Sequence, residues 1–195
     1  MRKNILFLVV FILSFISSIA LSAPTDIIND SKQMDALIPK VKATLVKEFG
    51  IFVAISVDYH LLEGSEMDKI MNDATYKGAE IGLHRFINGR HEIYLMKGMS
   101  EDEFCATLAH ELTHAWQVER CVRSQDMIVR EGFAKWIEYK YLDLIGAYAL
   151  ANRMKEIADP VYGVGFKKML DLEDKVGAKE MTNKIKTVVT INDIK

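Results

Sequence analysis

Residues 108–116 read Leu108-Ala109-His110-Glu111-Leu112-Thr113-His114-Ala115-Trp116. In a helix, side chains four apart share a face, so His110 and His114 can both offer imidazole nitrogens to one metal ion. Glu111 lies one position round, near enough to reach a water on that ion but poorly placed to ligate it. Two neutral ligands, a carboxylate base and an open coordination position are the parts of a zinc peptidase site. The plainer reading is a pair of surface histidines on an amphipathic helix.

The flanking sequence argues for the helix. Ser100 followed by Glu103 is a capping box, and Glu101 and Asp102 place negative charge in the first turn, where the helix dipole favours it. Phe104, Cys105, Leu108, Leu112, Ala115 and Trp116 recur at three- and four-residue spacings, and no Gly or Pro interrupts Glu101 to Arg120. A third ligand is expected on a later element. The continuation Ala115-Trp116-Gln117-Val118-Glu119-Arg120 lacks the Gly and third His of the metzincin pattern, so a glutamate on the next helix is the alternative. Glu131, with Ile128 and Ala134 three residues to either side, puts a carboxylate on an apolar face, and a metal removes the cost of burying it. Gly132 would let that helix approach a neighbour closely. Glu119 and Glu138 are the weaker candidates and read more simply as solvated helix charges; Glu131 has a solvated reading too, paired with Arg130 or Lys135.

Three pieces together, His110-Glu111-x-x-His114-Ala115-Trp116, Glu131-Gly132 and Pro160-Val161-Tyr162-Gly163-x-Gly165-Phe166, resemble the peptidase domain of the plant LIM-containing, ubiquitin-activated peptidases that limit organ size. Ile55-Ser56-Val57-Asp58 and Ile81-Gly82-Leu83 resemble strands of that domain, so the similarity runs from about Phe52 to Val176. The resemblance implies that His110, His114 and Glu131 ligate one Zn²⁺ per chain and that Glu111 is the catalytic base. Two cysteines are too few for a LIM module, so it extends to the core chemistry and not to that family's regulation or substrates.

The expected reaction is hydrolysis of peptide bonds in a peptide or protein substrate by a zinc-bound water, with Glu111 as general base. A further donor for the developing oxyanion is expected from Tyr162, His84 or His91, with Tyr162 preferred because it sits in the family-like segment. Tyr162 also reads as a packed loop aromatic, and the two histidines as polar hairpin residues. The competing function is a non-catalytic, zinc-stabilised domain that binds peptides or a protein partner, a peptidase relic. A structural site has no need of a base, so Glu111 weighs against it.

The rest of the chain bounds the setting. Arg2 and Lys3, the apolar run from Ile5 to Ile16 and the small-x-small triplet Ala20-Leu21-Ser22 form a secretory signal peptide, residues 1–22. The mature chain, residues 23–195, is then one domain, exported to the periplasm or secreted. An uncleaved anchor is the alternative, since Ile5 to Leu21 reaches the short limit of the about 17–25 residues a span needs. The 25 basic and 27 acidic residues leave no electrostatic footprint for nucleic acid, and no other long apolar run predicts stable membrane insertion. A straight helix from Cys105 to Cys121 would span roughly 24 Å, against the about 4.4–6.8 Å between Cα atoms in a disulfide, so pairing is not expected.

The pattern predicts an α+β fold, with a small, mainly antiparallel sheet in the N-terminal half packed on a helical, zinc-binding C-terminal half. Thr25 to Glu48 reads as helical with a break or second start at Pro39 and a stop at Gly50. Phe52 to Tyr59 reads as a strand, Ser65 to Asn72 as a short helix, and Glu80 to Phe86 with Glu92 to Met96 as a hairpin about Asn88-Gly89. Helices follow at about Glu101–Val118, Gln125–Leu144, Ala147–Glu156, Gly163–Val176 and Ala178–Lys186. The β-prone tail Val188 to Ile191 reads as either disordered or an edge strand. By analogy with zinc peptidases, one hairpin strand would bind substrate by strand addition.

Overall fold

A computed structural model describes residues 26–72, 81–156, 159 and 161–194. The predicted signal peptide and Pro160 lie outside these residues. The described elements are β1 (Ile27–Ile28), α1 (Ser31–Phe49), β2 (Val57–Leu62), α2 (Gly64–Asn72), β3 (Gly82–Ile87), β4 (Arg90–Met96), β5 (Met99–Ser100), α3 (Glu101–Arg120), α4 (Met127–Leu144), α5 (Tyr148–Met154), α6 (Tyr162–Val176) and α7 (Ala178–Ile185). The fold is α+β, with its strands in the N-terminal half and its helices dominating the C-terminal half.

The helix carrying the histidine motif is the centre of the molecule. Its capping box forms as predicted: Glu103 N–H donates to Ser100 Oγ, and Ser100 N–H donates to Glu103 Oε2. From Phe104 to Gln117 every residue of α3 is buried. The apolar stripe expected of an amphipathic helix therefore understates its position. Helices α1 and α4 and strands β3, β4 and β5 all pack on it. Polar side chains inside this length need partners, because burial without them is costly.

The sheet is ordered β2-β4-β3, with β4 antiparallel to β3 and parallel to β2. It is thus mixed, with the β3–β4 hairpin antiparallel as expected and β2 added in parallel. A second, two-stranded pair joins β1 to β5 and fixes Ile27–Ile28 beside the start of α3. The hairpin forms about Asn88-Gly89, both at positive φ, as a tight turn of this kind requires. Along β4, His91, Ile93 and Leu95 are buried and alternate with more accessible residues, so one sheet face covers α3.

Three local expectations are corrected. Pro39 lies inside an unbroken α1, on its exposed face; Met34, Leu37, Val41, Leu45 and Phe49 bury the opposite face at helical spacing and hold it through the lost hydrogen bond. Gly50 ends that helix in the left-handed conformation, as read from the sequence. The strand expected over Phe52 to Tyr59 begins only at Val57, because the Ala54 and Ile55 amides donate to the Glu119 carboxylate instead of to a neighbouring strand. The tail forms a short 3-10 turn at Ile191–Asp193, not a strand. Both cysteines are free, and Cys105 is buried in the core. Among the described residues no helix is long and apolar enough to cross a membrane.

Candidate metal centre

The junction of α3 and α4 brings the predicted ligands together. Helix α4 is capped by Asp126, whose carboxylate accepts from Val129 N–H. Gln117 of α3 donates its side-chain N–H to the Arg130 carbonyl and ties the helices together one residue before Glu131. On its other side α4 meets α6 at glycines. A Cβ at Gly132 would fall 2.5–2.7 Å from the Gly165 backbone, so neither position has room for a side chain. The close approach expected of Gly132 is made, and Gly165 of the Pro160–Phe166 segment is its counterpart.

His110, Glu111 and His114 are only 7, 6 and 8% exposed, which removes the surface-histidine reading. His110 Nε2 and His114 Nε2 are 3.0 Å apart. Glu131 Oε2 is 3.4 Å from the first and 3.2 Å from the second. These three side chains could hold a metal ion.

The outer ring nitrogens decide what the inner ones can do. His110 Nδ1 lies 3.0 Å from Glu138 Oε2, an atom that only accepts, so Nδ1 carries the hydrogen. His114 Nδ1 lies 2.8 Å from Gln117 Oε1, and the donation to Arg130 fixes that amide's orientation. Its Nδ1 therefore carries the hydrogen too. Each neutral ring then presents a lone pair at Nε2, and both lone pairs face a carboxylate oxygen. Three acceptors at 3.0–3.4 Å with no donor between them demand positive charge.

The titration tendencies express the same demand. Burial opposes a charged His110, yet its hydrogen bonds to Glu131 and Glu138 outweigh burial and raise it to about 9. Burial would raise the Glu131 carboxyl, but His114 and His110 hold it well below the usual carboxylate range. Glu138 also resists burial, kept down to about 2 by Lys135 and His110. Without a metal, a proton on His110 supplies the missing charge, and a bound cation would replace it.

Glu138 corrects one expectation. It is not a solvated helix charge: its side chain is 15% exposed and lies 2.7 Å from Lys135 Nζ as well as on His110. Such outer partners set the orientation and tautomer of metal-binding histidines. Glu138 follows Glu131 by two helical turns and so shares its face, which is the sequence signal that could have found it.

Glu111 points to strand β3. A Cβ at Gly82 would come 2.6 Å from Thr107 Cγ2 and 2.7 Å from Glu111 Oε1, so β3 lies directly against this carboxylate. Lys135 adds positive charge nearby; burial opposes that charge, but Glu138, Glu111 and Glu131 together sustain it. Tyr162 opens α6, its ring 5.9 Å from Lys135 Nζ, the ammonium that also meets Glu138.

A second group sits beside the first. His84 of β3 and His114 have ring centroids 6.5 Å apart. His84 Nε2 is 2.8 Å from His91 Nδ1, and His91 Nε2 is 3.2 Å from Glu119 Oε1. His91 is completely buried and the Glu119 side chain is 5% exposed. Glu119 is thus also no solvated charge, and His84 and His91 are more than hairpin polarity. Burial, with His114, His91 and Arg130 nearby, pushes His84 down to about 2. Burial also lowers His91, although Glu119 opposes the shift.

No protein-family model, no curated protein sequence and no solved structure matches the chain.

Proposed function

We propose that the protein is an exported zinc-dependent peptidase. The observation that carries this reading is the convergence of His110 Nε2, His114 Nε2 and Glu131 Oε2, with a buried carboxylate, Glu111, one residue from the first ligand. Zinc suits the donor set. Atoms bound tetrahedrally at roughly 2.0–2.1 Å stand about 3.3–3.4 Å apart, and the separations here are 3.0, 3.4 and 3.2 Å. Two imidazoles and one carboxylate leave a position for water, as in hydrolytic rather than structural zinc sites. When bound there, zinc would acidify that water and polarise the scissile carbonyl.

The chain's own residues do the remaining work. Glu111 takes a proton as the peptide carbonyl is attacked and returns it to the leaving amine. Gly82 keeps β3 close without displacing Glu111. Glu138 and Gln117 hold the two imidazoles with Nε2 inward. Tyr162 remains the candidate donor for the oxyanion. Substrate would lie along β3 as an added strand. Strand β4 is paired on both sides, whereas β3 has partners on one side only among the described residues. The likeness to the organ-size peptidases points to the same chemistry, and the predicted signal peptide to an extracytoplasmic site of action.

The test is Glu111→Gln. The variant is expected to keep its metal and lose roughly 10²–10⁴ in turnover on a synthetic peptide library. Wild-type turnover in that variant would remove Glu111 from the reaction. A wild type that holds zinc and binds peptides without cutting them would favour the relic reading.

A further inference from the structure

The His84 group is not needed to hold a metal, and its wiring is directional. Glu119 only accepts, so His91 Nε2 carries the hydrogen between them. With His91 neutral, its Nδ1 is a lone pair and His84 Nε2–H donates to it. With His84 also neutral, its own Nδ1 is left as an acceptor. That atom has no hydrogen bond within the described residues. It is not among the buried polar atoms that lack a partner, Tyr59 Oη and Gln125 Oε1, and His84 is partly exposed on a strand with no described neighbour on its outer side.

The far end of the chain is anchored. Glu119 accepts from the Ala54 and Ile55 amides at 2.9 Å as well as from His91. Its charge is fixed in place by three donors and cannot swing away from the ring. Strand β3 presents Gly82 to Glu111 and, two residues on, His84 beside His114. Alternation along a strand puts both on the face that covers α3.

We propose that Glu119 and His91 are positioning residues that hold His84 Nδ1 as a hydrogen-bond acceptor for a backbone N–H of the substrate peptide. This rests on the peptidase reading above. The chemistry is complementary: a cationic centre attracts a carbonyl oxygen, and every peptide unit carries an N–H on its opposite side. A neutral ring in this tautomer has no hydrogen at Nδ1 to give an oxyanion. His84 therefore acts in binding the substrate, and the oxyanion donor must be another group.

Two measurements on the zinc-loaded chain test this. Long-range ¹H–¹⁵N spectra of histidine-labelled protein report which nitrogen carries the hydrogen. The expected result is the Nε2–H form for His84, lost or mixed in His91→Phe; an Nδ1–H form in the wild type would overturn the proposal. The second is kinetics on a library peptide that the wild type cleaves. His84→Phe keeps a ring without an acceptor and should raise KM roughly 3- to 10-fold with little change in kcat. His84→Asn, whose Oδ1 replaces the lost acceptor, should recover most of that loss. Unchanged KM in His84→Phe, or equal loss in both variants, would overturn the role. A wild type that cleaves no library peptide fails the peptidase reading itself, and the acceptor role falls with it whatever the spectra show.

Discussion

Two groups of identical composition, each two histidines and a glutamate, stand side by side in this protein and are wired in opposite ways. In His110, His114 and Glu131 all three lone pairs face one point. In His84, His91 and Glu119 each N–H meets the next lone pair, and the chain is internally satisfied as far as His84 Nδ1. Composition therefore does not decide which cluster takes a metal. The partners of the outer nitrogens do. Glu138 and Gln117 draw the hydrogens of the first pair outward and leave a site that needs a cation. Glu119 draws one hydrogen at the end of the second and orders a line of donors.

The largest consequence should appear on removing one inward acceptor. Glu131→Ala is expected to weaken zinc binding by more than the roughly 10–100-fold that outer partners contribute. Competition with a chromophoric chelator would measure it. Glu119→Gln should change zinc affinity little in the same assay, although Glu119 is also a carboxylate set against a histidine. Equal losses in the two variants would mean that the clusters are not distinct.

A smaller effect is expected at the outer partner. Glu138→Ala leaves all three inward atoms in place but frees His110 to take the other tautomer. The loss in zinc affinity should fall within roughly 10–100-fold, read by the same competition. No loss would show that packing alone orients His110.

The sequence carried the inward cluster well. His110 and His114 are local to one helix, and Glu131 follows on the next with the glycine that lets α4 approach α6. The capping box at Ser100, the stop at Gly50 and the Asn88-Gly89 turn are equally local, and all three form as read. What the sequence did not carry is long-range. Glu119 gains its role from Ala54, Ile55 and His91, and Glu138 from His110, residues that only the tertiary fold brings near. A glutamate on a helix looks solvated until its neighbours are known. The same contact misplaced the start of β2, because a side-chain carboxylate took amides that a strand would otherwise pair. Pro39 misled for a related reason: five buried side chains along α1 outweigh one missing hydrogen bond.

Everything proposed for this protein depends on His110, His114 and Glu131 forming one metal site. Elemental analysis of the purified chain, after loosely bound metal is removed, tests it most directly. Close to one zinc per chain is expected. A folded chain that holds no metal, and takes none up when titrated with zinc, would contradict it.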